Sequence, residues 1–313
     1  MPSAARLTPL LRSMLFVPGD SEKKLARSAN AGADALIVDL EDSVAPDRKP
    51  HARELAAEFV RSRPTAKPIW VRINALDSAE CAADLSSVAA ARPDGIVLPK
   101  PQSPDDVVEL GRRLDELETR HSIEPGAIRI LPIATETAAG TLSLAGYARS
   151  GPRLAALTWG AEDLSDALGA TANVDERGEW LPPYQLARSL CLLAAAAAGA
   201  VAIDTVYVAL RDHDGLLRQA TAARRDGFSG KLAIHPEQIE VLHRAFEPSL
   251  EDIAQARRVV AAFDAAGGAG TVALAGRMLD RPHLERAERT LRLAAAAAGS
   301  ENALRSVTPD NGG

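Results

Sequence analysis

The chain has 313 residues, of which 46% are hydrophobic and 25% charged, and its formal net charge is −6 at pH 7. That balance supports a packed core. With no Lys/Arg block to offset the acidic excess, it argues against a nucleic-acid or anionic-membrane partner. Aromatic residues make up only 4%, too few for the stacking platforms that bind single-stranded nucleic acid.

Eight short apolar runs set the rhythm of the chain: 12–17 (RSMLFV), 35–40 (ALIVDL), 69–73 (IWVRI), 95–98 (GIVL), 129–134 (RILPIA), 154–159 (LAALTW), 202–206 (AIDTV) and 231–234 (KLAI). A segment of helical period follows each, at 21–31, 50–62, 82–91, 104–121, 137–149, 183–199, 212–225 and 236–246. Strands alternating with helices imply parallel βαβ units. Near-continuous apolar runs imply strands covered on both faces. Eight such units predict a (β/α)8 TIM barrel, the catalytic domain, over residues 1–247. A doubly wound open sheet is the alternative, but no GxGxxG follows the first strand and no GK[ST] phosphate loop is present.

Residues 248–313 leave this rhythm. A helix runs out into the glycines of "AAGGAG". A short extended piece follows, then a helix with Pro282 near its start, where proline is tolerated. A C-terminal helical arm outside the barrel is expected, ending in a disordered tail, "SENALRSVTPDNGG". Cys81 and Cys191 make neither a metal-ligand spacing nor a disulfide framework, which fits a reducing cytosol. No apolar run reaches the roughly 18 residues of a membrane span. The opening "MPSAARLTPLLRSMLFV" contains Arg12 and leads into a strand, so no signal peptide is expected and a cytoplasmic protein is.

In a barrel, chemistry sits at the C-terminal ends of the strands. Those ends carry, in chain order, Pro18, Gly19 and Asp20; Asp39, Glu41 and Asp42; Arg72 and Asn74; Pro99 and Lys100; Thr135 and Glu136; Gly160, Glu162 and Asp163; Tyr207; and His235 and Pro236. Singly, each has a plain structural reading. Asp163 can cap the helix after "WGAED", and Glu136 can sit in the first turn of the next helix. Together, the carboxylates repel one another unless a cation compensates. The six histidines form no HxH, HxxxH or HExxH. An oxygen-only site of Glu136 and Asp163 therefore suits a hard ion, Mg²⁺ or alternatively Mn²⁺, with waters and substrate completing the shell. Arg72 can hold a substrate carboxylate by a two-pronged contact, or pair with Asp39 or Asp42, and the two roles can coexist. Lys100 is open to a Schiff-base role, although an ion pair with the acidic residues after the second strand, or a phosphate contact, is the simpler account. No GxSxG nucleophile elbow is present.

The segments "RSMLFVPGD", "GADALIVDLEDSV", "WVRIN", "GIVLPK", "ATETAAG", "WGAEDL", "GFSGKLAIHPEQI" and "GRMLDRPHLERAERTL" resemble, in that order, marker segments of the citrate lyase β-subunit-like proteins of the HpcH/HpaI aldolase superfamily. The resemblance runs from about residue 12 to residue 294. It implies a TIM barrel, a homotrimer or a hexamer of trimers, Mg²⁺, and cleavage of a C–C bond β to a thioester. Carried over by motif, Glu136 and Asp163 would bind the metal, with Glu136 also facing the substrate. Arg72 would contact the substrate carboxylate and the thioester enolate. The backbone at Gly160 and Ala161 would hold the oxo-acid carboxylate. Asp280 of "GRMLD" is similar to an acid/base residue that an arm delivers into a neighbouring subunit's site; without the resemblance it reads as the N-cap of the last helix. The CoA contacts would come from Arg12, Lys24, Arg27, His235 and Pro236. Many relatives carry Lys-Ala where this chain has Arg27-Ser28, which keeps the positive charge, and isoleucine where it has Leu279. Asp39, Asp42 and Lys100 are expected to stand behind these groups and orient them, while Glu41 points to the other face of its strand end as a structural residue.

The resemblance thus favours an Mg²⁺-dependent CoA-ester lyase acting on malyl-CoA or citramalyl-CoA. It leaves open a citrate lyase β-subunit working on citryl groups carried by an acyl-carrier protein, a malyl-CoA thioesterase, and a non-catalytic acyl-CoA-binding barrel. Complex-bound subunits often have shorter C-terminal regions, so the full arm favours the free-CoA enzyme.

Overall fold

Eight strands run parallel, each followed by helix: β1 (Ser13–Pro18), β2 (Ala35–Asp39), β3 (Ile69–Arg72), β4 (Gly95–Leu98), β5 (Arg129–Pro132), β6 (Ala156–Thr158), β7 (Val201–Asp204) and β8 (Gly230–Ala233). This computed structural model describes residues 11–305 other than Gly268. The first ten residues of the expected barrel domain lie outside the described residues. The hydrogen-bonded order is β5-β4-β3-β2-β1-β8-β7-β6, so the first and last strands of the sequence are neighbours. The ring closes between β5 and β6 through two isolated bridges, Ile130 with Leu154 and Ile133 with Thr158. The Ile130 N–H donates to the Arg153 carbonyl at 2.8 Å, and the Ala134 N–H to that of Thr158 at 2.8 Å. Between them Pro132 has no N–H to give, and the register slips by one residue.

Met14, Ile37, Trp70, Val97, Leu131, Ala156, Ile203 and Leu232, one from each strand, meet in the barrel core, the layered filling expected of this fold. Trp70 is paired in register with Gly95. A Cβ on Gly95 would fall 2.2 Å from the Trp70 ring, so the indole fills the space that a side chain on β4 would need. Two residues further along β2 and β3, on the same inward face, stand the paired positions Asp39 and Arg72.

The helices of this unit are α1 (Glu22–Ala29), α2 (Lys49–Ser62), α3 (Cys81–Ala89), α4 (Pro104–Arg120), α5 (Ala138–Leu142), α6 (Ala161–Leu168), α7 (Pro182–Ala198), α8 (His213–Asp226) and α9 (Gln238–Phe246). Their starts follow capping chemistry. Ser103 and Asp106 form a capping box on α4, with Pro104 at its first position. The Asp212 carboxylate accepts from the Gly215 N–H at the start of α8. Two segments differ from expectation. The helix expected over 137–149 is α5 followed by a 3-10 stretch over Leu144–Arg149; the Thr141 and Ser143 hydroxyls bond back to the Thr137 and Gly140 carbonyls, which bends a helix. Between β6 and α7 an additional helix, α6, is ended by Gly169 at φ 64. Both cysteines are free and buried. Among the described residues no helix is long and apolar enough to cross a membrane.

Residues 11–245 form one compact unit, and the chain from Phe246 belongs to a second. In the second, α10 (Leu250–Ala265) is capped by Ser249 and Asp252. It packs with a two-stranded antiparallel hairpin, β9 (Thr271–Leu274) and β10 (Arg277–Asp280), and with α11 (Arg281–Arg305). The two-residue turn places Ala275 at φ 51 and Gly276 at φ 74, the double positive φ of a tight hairpin turn matched to strand twist. Val259, Phe263, Val272, Leu279 and Ala287 make its core. Because α11 runs to Arg305, the first six residues of the tail expected to be disordered are helical; residues 306–313 lie outside the described residues.

Candidate active site

The C-terminal ends of β2 to β6 bring five carboxylates and two cations together. Arg72 grips Asp39 through two parallel bonds, Nε to Oδ1 at 2.7 Å and Nη2 to Oδ2 at 2.7 Å. The same carboxylate accepts the Glu41 and Ser43 N–H groups at 2.9 and 3.2 Å. Burial works to raise the Asp39 carboxyl, but the charge and hydrogen bonds of Arg72, with Ser43 and Glu41, hold it below its usual range. The guanidinium stacks 4.8 Å over the Phe16 ring. Burial also opposes its charge; Asp39 foremost, then Glu41 and Glu136, keep its pKa above the ordinary value.

Glu41 does not point away as expected. Its side chain is buried, with Oε2 3.0 Å from Arg72 Nη1 and Oε1 2.6 Å from Lys100 Nζ. Asp39 and Glu41 are two residues apart and so share a face, while Leu40 between them is buried on the other. That alternation was the signal for Glu41. Lys100 also lies 3.2 Å from Asp42 Oδ1 and 3.3 Å from Asp163 Oδ1. Burial works against its charge, but Glu41 foremost, then Asp163 and Asp42, hold its pKa above the usual lysine value. It is an ion-paired ammonium, the simpler of the two accounts, and not a free amine ready to attack a carbonyl.

Lys100 sits between Pro99 and Pro101 at φ 50, a left-handed conformation that an L-residue adopts at a cost. The reward is its backbone N–H, which donates to Glu136 Oε2 at 2.6 Å. Glu136 is 4% exposed. Burial, then the charges of Asp163 and Glu41, push its pKa well above the ordinary carboxyl value, only partly offset by Lys100 and Arg72. Gly160 makes this packing feasible, since a Cβ there would lie 2.6 Å from Glu136 Cγ. Gly160 caps α6, and Asp163 follows in its first turn. The Gly160 N–H, expected to meet a substrate carboxylate, is donated to Thr135 Oγ1 at 3.1 Å.

The excess of carboxylate over cation is what a divalent ion would relieve, and Glu136 and Asp163 offer hard oxygen donors from β5 and α6. Among the described residues no group of three or more His, Cys, Asp or Glu side chains is arranged to hold a metal. An ion at Glu136 and Asp163 would complete its shell with water and substrate, as Mg²⁺ commonly does.

Arg12 must be withdrawn from this end of the barrel. It precedes β1, is buried, and pairs with Asp34 through Nε at 3.0 Å and Nη2 at 2.9 Å, at the N-terminal end of the strands. Lys24 and Arg27 are exposed on α1, which follows β1. His235 and Pro236 follow the neighbouring strand β8, with the His235 side chain 41% exposed. In the second unit, Asp280 ends β10 with Oδ1 2.5 Å from His283 Nδ1. The hydrogen bond from His283 holds this exposed carboxyl below its usual range.

The likeness read from eight segments is borne out. The sequence matches the HpcH/HpaI aldolase/citrate lyase family over residues 12–236 and the C-C bond lyase family of the TIM-barrel fold over residues 185–298. It is 39% identical to citrate lyase subunit beta of Haemophilus influenzae, over 90% of this chain and 96% of that protein. It is 36% identical to a (3S)-malyl-CoA thioesterase of Cereibacter sphaeroides, over 92% and 95%. The crystal structure of the protein CitE of Mycobacterium tuberculosis, in complex with magnesium, acetoacetate and coenzyme A, superposes with a TM-score of 0.77 at 35% identity, covering 92% of this chain and all of that one. RipC of Yersinia pestis superposes at 0.63 with 32% identity, over 79% of this chain and 99% of RipC. A match over more than two thirds of the chain places it in the HpcH/HpaI aldolase/citrate lyase family, and that membership indicates a carbon–carbon lyase.

Proposed function

We propose that the protein is an Mg²⁺-dependent CoA-ester lyase that splits a 3-hydroxy-3-carboxyacyl-CoA of the malyl or citramalyl type into acetyl-CoA and a 2-oxo acid. The observation that carries it is Glu136: a buried carboxylate that shares its surroundings with Asp163 and Glu41 and finds two cations for five carboxylates. Glu136 and Asp163 would hold the ion, Mg²⁺ or Mn²⁺, and the similar protein CitE forms a complex with magnesium. When bound, it supplies Lewis-acid stabilisation of the substrate oxygens.

The remaining work falls to the chain's own residues. The substrate hydroxyl gives its proton to solvent, the bond between the hydroxyl-bearing carbon and the carbon next to the thioester breaks, and charge moves onto the thioester oxygen. Arg72, aimed by Asp39 and braced on Phe16, lies at the rim with its charge preserved and stabilises that developing enolate. Protonation of the enolate carbon yields the acetyl thioester. Asp280 is assigned this proton, delivered by the arm to a neighbouring protomer's site in a homotrimer or hexamer; its pairing with His283 keeps it charged until burial there raises its pKa. The amides of the first turn of α6 after Gly160 hold the oxo-acid carboxylate. Lys24 and Arg27 on α1, with His235 and Pro236 after the neighbouring strand β8, take the CoA moiety.

Arm length does not separate this reading from a citrate lyase β-subunit served by an acyl-carrier protein. The Haemophilus influenzae subunit matches 90% of this chain, a span that must enter the arm. An assay decides. Malyl-CoA, citramalyl-CoA, methylmalyl-CoA and citryl-CoA are offered with Mg²⁺ or EDTA, with oxo acid and free thiol followed separately. Oxo acid without thiol, abolished by EDTA, supports the lyase. Thiol without oxo acid makes it a thioesterase. Turnover that survives EDTA and is trapped by borohydride on Lys100 overturns the metal reading.

A further inference from the structure

β6 is the shortest strand of the barrel, and both of its ladders stop at Thr158. Toward β5 the pairing is two bridges either side of Pro132. Yet the next residues need the tightest placement, because Gly160 has no room for a methyl beside Glu136 and Asp163 follows three residues later. Thr135 holds Gly160 from the β5 side. From the β7 side a buried charged chain approaches. Trp159, fully buried, donates from Nε1 to Asp204 Oδ1 at 2.7 Å, and Lys231 Nζ lies 2.7 Å from Asp204 Oδ2. Arg188 Nε adds a contact at 3.4 Å to the same carboxylate. Trp180 packs edge-on against Trp159 with ring centroids 4.9 Å apart. Lys231 is 0% exposed and Asp204 is 1% exposed. A buried ion pair returns little net stability, and an apolar pair of the same volume is often as stable. Packing alone therefore gives no reason to bury these charges beneath the rim. Direction does: a charge-assisted bond fixes the indole where dispersion contacts would let it shift.

We infer that Asp204, clamped by Lys231, is a positioning residue that acts through the Trp159 indole to set the β6–α6 junction, and with it the approach of Gly160 to Glu136 and the aim of Asp163. The inference rests on the metal-binding reading of Glu136 and Asp163. Three variants of the full chain test it: Lys231→Met with Asp204→Leu, which removes both charges and the acceptor; Lys231→Met with Asp204→Asn, which removes the charges but keeps a carbonyl for Trp159; and Trp159→Phe, which keeps a ring and loses the donor. Hydrogen exchange of peptides covering residues 159–168 is measured in EDTA, and Mn²⁺ binding is titrated calorimetrically. The Leu and Phe variants are expected to exchange faster in these peptides alone and to bind Mn²⁺ about tenfold more weakly, and the Asn variant, which keeps a weaker neutral acceptor, to recover part of both. A Leu variant identical to wild type, an Asn variant as impaired as the Leu variant, or faster exchange spread equally over β1 to β4 overturns the inference. If the Leu variant does not fold, Trp159→Phe decides. A wild-type protein that binds no Mn²⁺ removes the metal reading, while the exchange comparison still decides whether Asp204 sets the junction.

Discussion

Asp39 and Arg72 face each other in register across β2 and β3, and their side chains close a two-pronged bond at 2.7 Å on both arms. The pair turns a flexible side chain into a fixed one. Arg72 has its Nε and Nη2 committed to Asp39 and its face set against Phe16, so its remaining nitrogen, Nη1, 3.0 Å from Glu41 Oε2, has one direction in which to offer charge.

A lysine at position 72 keeps the charge and loses the fork. For Arg72→Lys, kcat is expected to fall about a hundredfold or more, the scale of losing one preorganised donor at a developing oxyanion. KM should change far less. Steady-state kinetics on the preferred CoA ester check this, and a variant that loses only KM would assign Arg72 to ground-state binding.

Position 160 tests how close the packing is. A methyl at Gly160 must displace Glu136. Gly160→Ala is expected to cost about 1–3 kcal/mol by overpacking and to weaken divalent-ion binding about tenfold. Thermal melts and ion titration measure the two effects separately; unchanged ion affinity would show that Glu136 tolerates the shift.

The arm makes a prediction about mixtures. Asp280→Asn and Glu136→Gln should each abolish turnover in the pure variants. If each site combines one protomer's barrel with another's arm, co-assembled variants recover activity in about a quarter of sites, the chance that both halves are intact in a symmetric ring. Mixed assemblies that stay inactive rule out delivery between protomers.

The N-terminal end of the barrel predicts a pH dependence of stability. His243 Nε2 lies 2.9 Å from Ser13 Oγ. Burial lowers its pKa from 6.5, and Arg12 adds to this although Asp34 pulls the other way. A histidine whose folded pKa is depressed contributes stability that is present above the unfolded value and lost as pH falls through the folded one. The melting temperature should therefore drop as pH falls below about 6.5, and His243→Gln should flatten that limb. Equal slopes for the two proteins would assign the acid limb to other groups.

Much of this was legible in the residues, for physical reasons. The eight barrel strands were read within a residue or two because each is an apolar run with a change of period on either side. Glu136 and Asp163 stood out because charge directly after a buried strand needs a partner. Other features depended on information that a linear reading weighs poorly. Glu41 was placed on the wrong face although Asp39, two residues earlier, fixes its side. Arg12 was counted with the rim although it precedes its strand. The hairpin of β9 and β10 rests on two consecutive positive φ angles at Ala275 and Gly276, and alanine does not advertise one. Trp159 follows β6 while Asp204 and Lys231 belong to β7 and β8, and only the side-by-side pairing of these three strands makes them neighbours.

The indole of Trp70 occupies the space of an absent side chain at Gly95, directly beneath Arg72. Neither position is free to drift alone: enlarging residue 95 collides with the ring, and shrinking residue 70 leaves a void under the guanidinium. Across homologous sequences the two should covary, bulk migrating from one to the other, so that an inherited pair of sites conserves a volume and not an identity.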